Sequence, residues 1–183
     1  MFGLEAIFLY FWAKSQSITQ GDVGWGIDRS LRESLLGIIA SALLICGRLV
    51  FEALYPRVRQ LLSQHPLARG PAGFWAVVAL VGGAVEEPWR AFSLLALQRV
   101  NMGTGSAILV TSIAFFFAHL AGIPSRIPGR PSSWGIWEMA LGAFLAWLFL
   151  TSNSLIAPFI ASVIYHLGNL YLVRRGVGAD SNA

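Results

Sequence analysis

The sequence predicts an all-α integral membrane protein, a bundle of about five transmembrane helices with one short helix before them. Of its 183 residues, 56% are hydrophobic and only 12% are charged. Soluble domains carry about 25% charged residues, so this composition is typical of the membrane class. The apolar residues also cluster into runs of the length, about 20 residues, that a helix needs to cross a bilayer.

Five such runs are predicted to be helices, because backbone amides have no water partner in lipid. Together they form one predicted domain over 35–175 with a core at 73–173, preceded by an N-terminal segment over 1–34 and followed by a flexible tail over 176–183. The predicted spans are Leu35–Tyr55, Gly73–Leu97, Thr104–Ile123, Trp134–Thr151 and Ser154–Val173.

The N-terminal segment contains a shorter apolar stretch, Phe2–Trp12, with Glu5 inside it and Lys14 after it. It lacks the basic start and the small-residue cleavage site of a signal peptide. We expect an interfacial or re-entrant helix here, and a sixth span is the alternative.

Basic residues follow the first, third and fifth spans, whereas the second connection has only Arg99 and the fourth is uncharged. The positive-inside rule therefore predicts a cytoplasmic C-terminus. The net charge of +4 is explained by this topology and does not call for a nucleic-acid partner. The single cysteine, Cys46, cannot form an internal disulfide. The basic residues that follow the first, third and fifth spans are Arg57, Arg59, Arg69, Arg126, Arg130, Arg174 and Arg175.

The second span carries two adjacent carboxylates, Glu86 and Glu87, with Arg90 one turn later. Ionisable residues inside a span cost about 2.5–3.5 kcal/mol on insertion scales and indicate function by default. Neighbouring carboxylates repel, so at least one is expected to be protonated or to have a cationic partner. Either lies within reach of Arg90, and Pro88 is expected to kink the helix. The structural alternative is an ion pair that pins two helices together.

Three more polar residues lie in later spans: His119 in the third, and His166 and Asn169 in the fifth. Histidine and asparagine often bridge membrane helices, so each has a purely structural alternative. Together with the carboxylates they form an inventory suited to water activation and amide hydrolysis. The same groups could also bind a metal ion through histidine and glutamate.

Arg48 and Glu52 are one turn apart near the end of the first span. We expect a local ion pair whose arginine reaches to the membrane interface, and we leave it out of the site.

Three motifs occur in order along the chain: Glu86-Glu87-Pro88-Trp89-Arg90, Phe115-x-x-x-His119 and His166-x-x-Asn169. They resemble the motifs of the CAAX-processing and bacteriocin-processing (CPBP) intramembrane proteases, also called abortive-infection-type proteins. The resemblance covers roughly Gly73–Val173. The family usually has one more residue between its glutamate pair and the arginine. It also places asparagine four residues after the histidine, a shift of about 100° around the helix.

The resemblance implies a glutamate-type protease in which Glu86 is the general base and His119 orients the attacking water. Glu87 and Arg90 would form a supporting pair, and His166 with Asn169 would stabilise the oxyanion. No cofactor is expected because no His-Glu-x-x-His motif is present, and zinc is the alternative.

The resemblance also implies a membrane-anchored peptide or protein substrate and a location in the lipid bilayer. The short chain is similar to bacterial inner-membrane members, including sorting-type enzymes. Two other classes stay open: a non-catalytic immunity or scaffold protein of the same fold, and a small proton-coupled transporter. Retained biological activity in Glu86→Ala would favour the first, and inverted repeats, which the sequence lacks, would favour the second.

Overall fold

The computed structural model of this chain describes 30–56, 70–122 and 132–180, together with residues 14, 15, 17, 19, 21, 22 and 24. Side chains at 118–122, 132–135 and 176–180 are not described. The helix predicted over Phe2–Trp12 lies outside the described residues. Within the described ranges the chain forms five long α-helices: α1 Ser30–Leu54, α2 Ala72–Arg99, α3 Thr104–Gly122, α4 Ser132–Ser152 and α5 Ile156–Asp180.

These helices confirm the predicted all-α bundle, and each overlaps one predicted span. The largest differences lie at two helix ends: α1 begins at Ser30 rather than Leu35, and α5 continues past Val173 to Asp180. Residues 176–180, predicted as the start of the tail, are therefore helical, and the division into segments stays a prediction. Helix α2 runs without a break through Pro88.

Helix α5 lies beside α1, and the two run parallel. A Cβ added at Gly37 of α1 would come within 2.7 Å of the carbonyl oxygen of Ala157, at the start of α5. One added at Gly168, later in α5, would come within 2.7 Å of Cδ1 of Ile45, later in α1. Small residues at both contacts therefore let the two helices approach closely, as is common between membrane helices.

Helix α2 also packs against α5 but runs antiparallel to it. Near the middle, a Cβ added at Gly83 would come within 2.8 Å of Cγ2 of Val163. At the ends, the guanidinium of Arg174 in α5 donates a hydrogen bond to the carbonyl of Gly70, just before α2. The two contacts fix the register that places the site residues of α2 against those of α5.

Two apolar clusters hold the bundle together. One joins α1, α4 and α5 around Leu44, Leu145 and Tyr165. The other joins α2, α3 and α4 around Leu94 and Phe149. On α2, the buried residues Glu87 and Arg90 share a helix face with Ala91 and Leu94 of the second cluster.

The outer surface of the bundle is strongly apolar. Large side chains such as Leu43 and Trp147 are 60% and 51% exposed. By length and composition, two described helices, Ser30–Leu54 and Ile156–Arg175, are apolar enough to cross a membrane. Thr104–Phe117 and Ile136–Ser152 are shorter apolar helices. An apolar exterior around buried charges is the arrangement of a helical membrane bundle.

The turns after α2 and α4 lie at one end of the bundle, called here the Asn153 end. Each contains an asparagine with a left-handed backbone, Asn101 at φ 60° and Asn153 at φ 50°. Part of the N-terminal segment docks on this end, because Ser154 Oγ donates to the carbonyl of Gly24 at 3.3 Å. The opposite end, where α2 begins, is called the Gly70 end.

Candidate active site

The two adjacent carboxylates of α2 lie on different faces of the helix. Consecutive residues are about 100° apart around an α-helix, whereas residues four apart nearly superpose. Glu87 therefore shares a face with Gly83, which contacts α5, and it is 1% exposed. Glu86 instead shares a face with Gly82: a Cβ added there would meet Glu86 Oε1 at 3.5 Å.

Glu87 forms an ion pair with Arg90 in which the arginine Nη1 donates to Oε2 of the carboxylate. Both side chains are only 1% exposed. The guanidinium carbon also lies over the ring of Phe115 in α3, 4.3 Å from its centroid. A buried charge requires a partner, and here the partner is in the same helix while the cation–π contact fixes α3 beside α2.

Ser162 of α5 is a site residue that sequence reasoning missed. It is fully buried beside the Glu87 carboxylate, and its oxygen is 3.8 Å from the Cβ position that Gly83 lacks. Ser162 Oγ and Glu87 Oε1 have no hydrogen bond of good geometry among the described residues. A signal was available, since Ser162 precedes His166 by four residues and therefore shares its helix face.

His166 and Asn169 continue the Ser162 face of α5 toward the Gly70 end. The antiparallel register puts the His166 backbone about 10 Å along the bundle axis from that of Glu87, and Asn169 about 15 Å from it. The His166 ring packs edge-on against Tyr165, with centroids 5.3 Å apart. Asn169 Oδ1 is buried, with no hydrogen-bond partner among the described residues.

Glu86 is the carboxylate nearer in level to His166. Its side chain reaches back along α2 to the level of Gly82, one turn closer to the Gly70 end than its own Cα. By the Gly83–Val163 contact, that level is about 3 Å along the axis from the His166 backbone. Glu86 is therefore the carboxylate nearer to His166 in level along the axis, whereas Glu87 is the one on the face of α2 that contacts α5.

His119 lies in the last turns of α3, and its side chain is outside the described part of the chain. Its backbone position follows from the antiparallel packing of α2 and α3. Arg90 of α2 contacts Phe115 of α3, so these two residues lie at about the same level along the bundle. In antiparallel helices, the residue four positions after Phe115 is then level with the residue four positions before Arg90. His119 is thus at the level of Glu86.

The ion pair predicted between Arg48 and Glu52 is present, with Nε donating to Oε1 at 2.7 Å. The expectation that Arg48 reaches the interface is wrong, because its side chain is 1% exposed. It lies close to Tyr165 of α5, in the part of the bundle where α1 and α5 pack together. Sequence patterns favoured snorkelling only because they do not show which face of α1 its neighbours cover.

As a chemical environment, the site combines a paired carboxylate, a second carboxylate on another face and a polar helix face opposite. Among the residues whose side chains are described, no three His, Cys, Asp or Glu residues form a group able to hold a metal ion. The described arrangement suits acid–base chemistry on a group held between α2, α3 and α5.

A helical membrane bundle with a buried glutamate–arginine pair beside a polar helix face is the class that fold and site define. Against known families, residues 68–168 match the one described as Type II CAAX prenyl endopeptidase Rce1-like. The match covers more than half of the chain, and the chain belongs to this family of membrane-embedded peptidases. It includes every predicted site residue except Asn169, one position beyond its end. No curated protein and no solved structure matches the chain.

Proposed function

We propose that the protein is an intramembrane endopeptidase in which Glu86 activates the water that attacks a substrate amide. The observation that carries this proposal is that the two adjacent carboxylates lie on different faces of α2. Glu87 is held in an ion pair with Arg90, whereas Glu86 lies on another face of α2, over Gly82. A general base must be able to take a proton, which a carboxylate fixed by a buried arginine does poorly.

In this mechanism Glu86 takes a proton from water as the oxygen bonds to the scissile carbonyl carbon. His119, level with Glu86, orients the water. His166 donates a hydrogen bond to the oxyanion that develops, and Asn169 contributes less, because it lies about one turn farther along α5. The proton held by Glu86 then passes to the leaving nitrogen as the carbon–nitrogen bond breaks.

The proposed substrate is a membrane-anchored peptide or protein, and the proposed location is a bacterial inner membrane with the C-terminus in the cytoplasm. The basic residues after the first, third and fifth spans support this orientation. No cofactor is part of the mechanism, and zinc held by glutamate and histidine is the competing chemistry that the experiment must separate.

The test compares purified wild-type protein with Glu86→Gln and Glu52→Gln in liposomes, each with and without a strong chelator. Farnesylated CAAX peptides and reporters with a C-terminal membrane anchor serve as the substrates. Glu86→Gln keeps the size of the side chain and removes its basicity. Glu52→Gln is the matched control, because Glu52 is another glutamate within a helix of the bundle and lies outside the motifs.

We expect the wild type and Glu52→Gln to cleave in the presence of chelator, and Glu86→Gln to lose at least about a hundredfold in rate, the lower range for a general base. Cleavage by Glu86→Gln at the wild-type rate would refute the proposed role. If chelation abolished wild-type cleavage and zinc restored it, the same residues would be identified as metal ligands.

A further inference from the structure

An open groove of about 390 Å³ lies between α2 and α3, on the Asn153 side of the motif residues. Its walls are mostly apolar. The lining includes Trp89, Ser93 and Ala96 of α2 and Val110, Thr111 and Ala114 of α3. This α2–α3 groove is large enough for part of a ligand, since binding pockets span about 300–1,000 Å³.

The groove continues the helix face that carries Glu86. Residues spaced by three or four positions share a face, and the series Glu86, Trp89, Ser93, Ala96 has this spacing. Trp89, at the inner end of the groove, is therefore one turn from Glu86. A chain lying in the groove and extending toward the Gly70 end would reach the proposed general base.

One wall of the groove contains a buried polar group, the Thr111 hydroxyl, that has no hydrogen bond to the described residues. Thr111 is 1% exposed, and its Oγ1 has no partner among the described residues. Its neighbour Ser112 is satisfied within its own helix, because its Oγ donates to the Ile108 carbonyl at 2.7 Å. A buried hydroxyl left unsatisfied costs about 1–3 kcal/mol, so the unpaired Thr111 hydroxyl indicates that a polar ligand group belongs beside it.

We infer that the α2–α3 groove binds an apolar stretch of the substrate in extended form and guides it to Glu86. The inference rests on the proposed function and names the part of the substrate that the site recognises. A lipid acyl chain has no polar group for Thr111, and a helical segment has already used its backbone amides and carbonyls. An extended peptide has both apolar side chains and free backbone groups.

The dimensions agree with this occupant. The α2 wall from Trp89 to Val100 is about 16 Å long at 1.5 Å per residue. An extended peptide covers the same length with about five residues. The scissile bond of such a peptide would lie next to the inner end of the groove, with its carbonyl accessible to an activated water.

The experiment uses full-length Glu86→Gln protein in liposomes and a benzophenone-bearing peptide rich in Leu and Val with lysines at both ends. Photocrosslinked residues are identified by mass spectrometry. Ala96→Phe fills the groove, and Ala84→Phe places the same side chain on an exposed position of α2 as the matched control. Thr111→Val keeps the shape of the wall and removes the hydroxyl. A benzophenone-labelled palmitate tests for simple lipid binding.

We expect peptide crosslinks on the groove residues, at least tenfold weaker in Ala96→Phe and unchanged in Ala84→Phe. Thr111→Val should lower peptide crosslinking about fivefold, the equivalent of one hydrogen bond, and leave palmitate labelling unchanged. Crosslinks centred on Leu109, on the opposite face of α3, would overturn the inference. So would palmitate labelling of the groove with which the peptide does not compete.

Failure of this inference can be distinguished from failure of the proposed function, because crosslinking to Glu86→Gln requires no catalysis. If wild-type protein cleaves its reporter and Ala96→Phe cleaves it at the same rate, the groove is not the substrate path. If the peptide crosslinks as expected but no reporter is cleaved, the groove inference is supported and the proposed chemistry is not.

Discussion

Two buried arginines in this bundle each pair with a glutamate about one turn away in the same helix, but the residues around the two pairs differ. Arg90 pairs with Glu87 in α2, and Arg48 pairs with Glu52 in α1. Both arginines are 1% exposed, but Glu87 is 1% exposed whereas Glu52 is 15% exposed. One pair is wholly enclosed, and the other keeps partial access to its surroundings through the glutamate.

The groups around each pair differ more than the pairs themselves. Arg90 lies over Phe115, and its partner lies beside Ser162 on the polar face of α5. Arg48 instead lies near Tyr165, which joins α5 to α4 by accepting a hydrogen bond from Trp137 Nε1 at its Oη, at 2.6 Å. A buried ion pair is therefore not by itself an indication of a catalytic site. Whether such a pair belongs to a catalytic site depends on the polar residues that neighbouring helices place beside it.

Arg90→Ala should have the largest effect. It leaves Glu87 buried without its cation, which costs about 3–5 kcal/mol for a broken buried pair, and it removes the contact that fixes α3 beside α2. We expect lost cleavage and a lower free energy of unfolding in mixed detergent–SDS titrations. Arg90→Lys keeps the charge but not the planar group over Phe115. Its free energy of unfolding and its cleavage rate should therefore lie between those of the wild type and Arg90→Ala.

Arg48→Ala should cost less, about 1.5–3 kcal/mol for a hydrogen bond to a charged group, because Glu52 is partly exposed. Cleavage per folded molecule should stay at the wild-type value. The double variant Arg48→Ala/Glu52→Ala should recover part of the stability, since no charge is left alone. A loss of stability equal to that of Arg90→Ala would erase the difference between the two regions.

Gly83→Ala sharpens the comparison through packing rather than charge. The added Cβ would lie 2.8 Å from Cγ2 of Val163, so either the Val163 side chain must shift or α2 and α5 must separate next to Glu87. We expect a cost of about 1–3 kcal/mol for overpacking and slower cleavage. Gly73→Ala is the control, because nothing lies within 4 Å of its added Cβ. Equal unfolding curves for the two variants would show that this contact is loose.

Gly47→Ala, next to Arg48, should have the smallest effect. The added Cβ would lie 3.2 Å from Cη2 of Trp137, the outer edge of a side chain that can shift slightly. The gain in helix propensity from glycine to alanine, about 1 kcal/mol, offsets this crowding. We expect a free energy of unfolding close to the wild-type value and unchanged cleavage. A loss as large as that of Gly83→Ala would show that the Trp137 contact is as rigid as the helix crossing at the site.

Much of the fold could be predicted from the sequence because a bilayer leaves few alternatives to helices. The ion pair in α2 was also predictable, although the sequence allowed Arg90 to meet either glutamate. The structure selects Glu87, which lies on the side of α2 that faces α5. Ser162 was missed because a serine in an apolar helix usually donates to its own backbone, and only the opposing carboxylate makes it notable.

The sequence by itself determined the approximate positions of the five described helices, the membrane class and the family, because run length and motif order are properties of the chain. Only the tertiary structure decided which polar residues face one another. It buried Arg48, paired Arg90 with Glu87 rather than Glu86 and opened the α2–α3 groove. The physical reason is that facing depends on helix register, and register is set by a few small residues, such as Gly37 and Gly83, where backbones approach most closely.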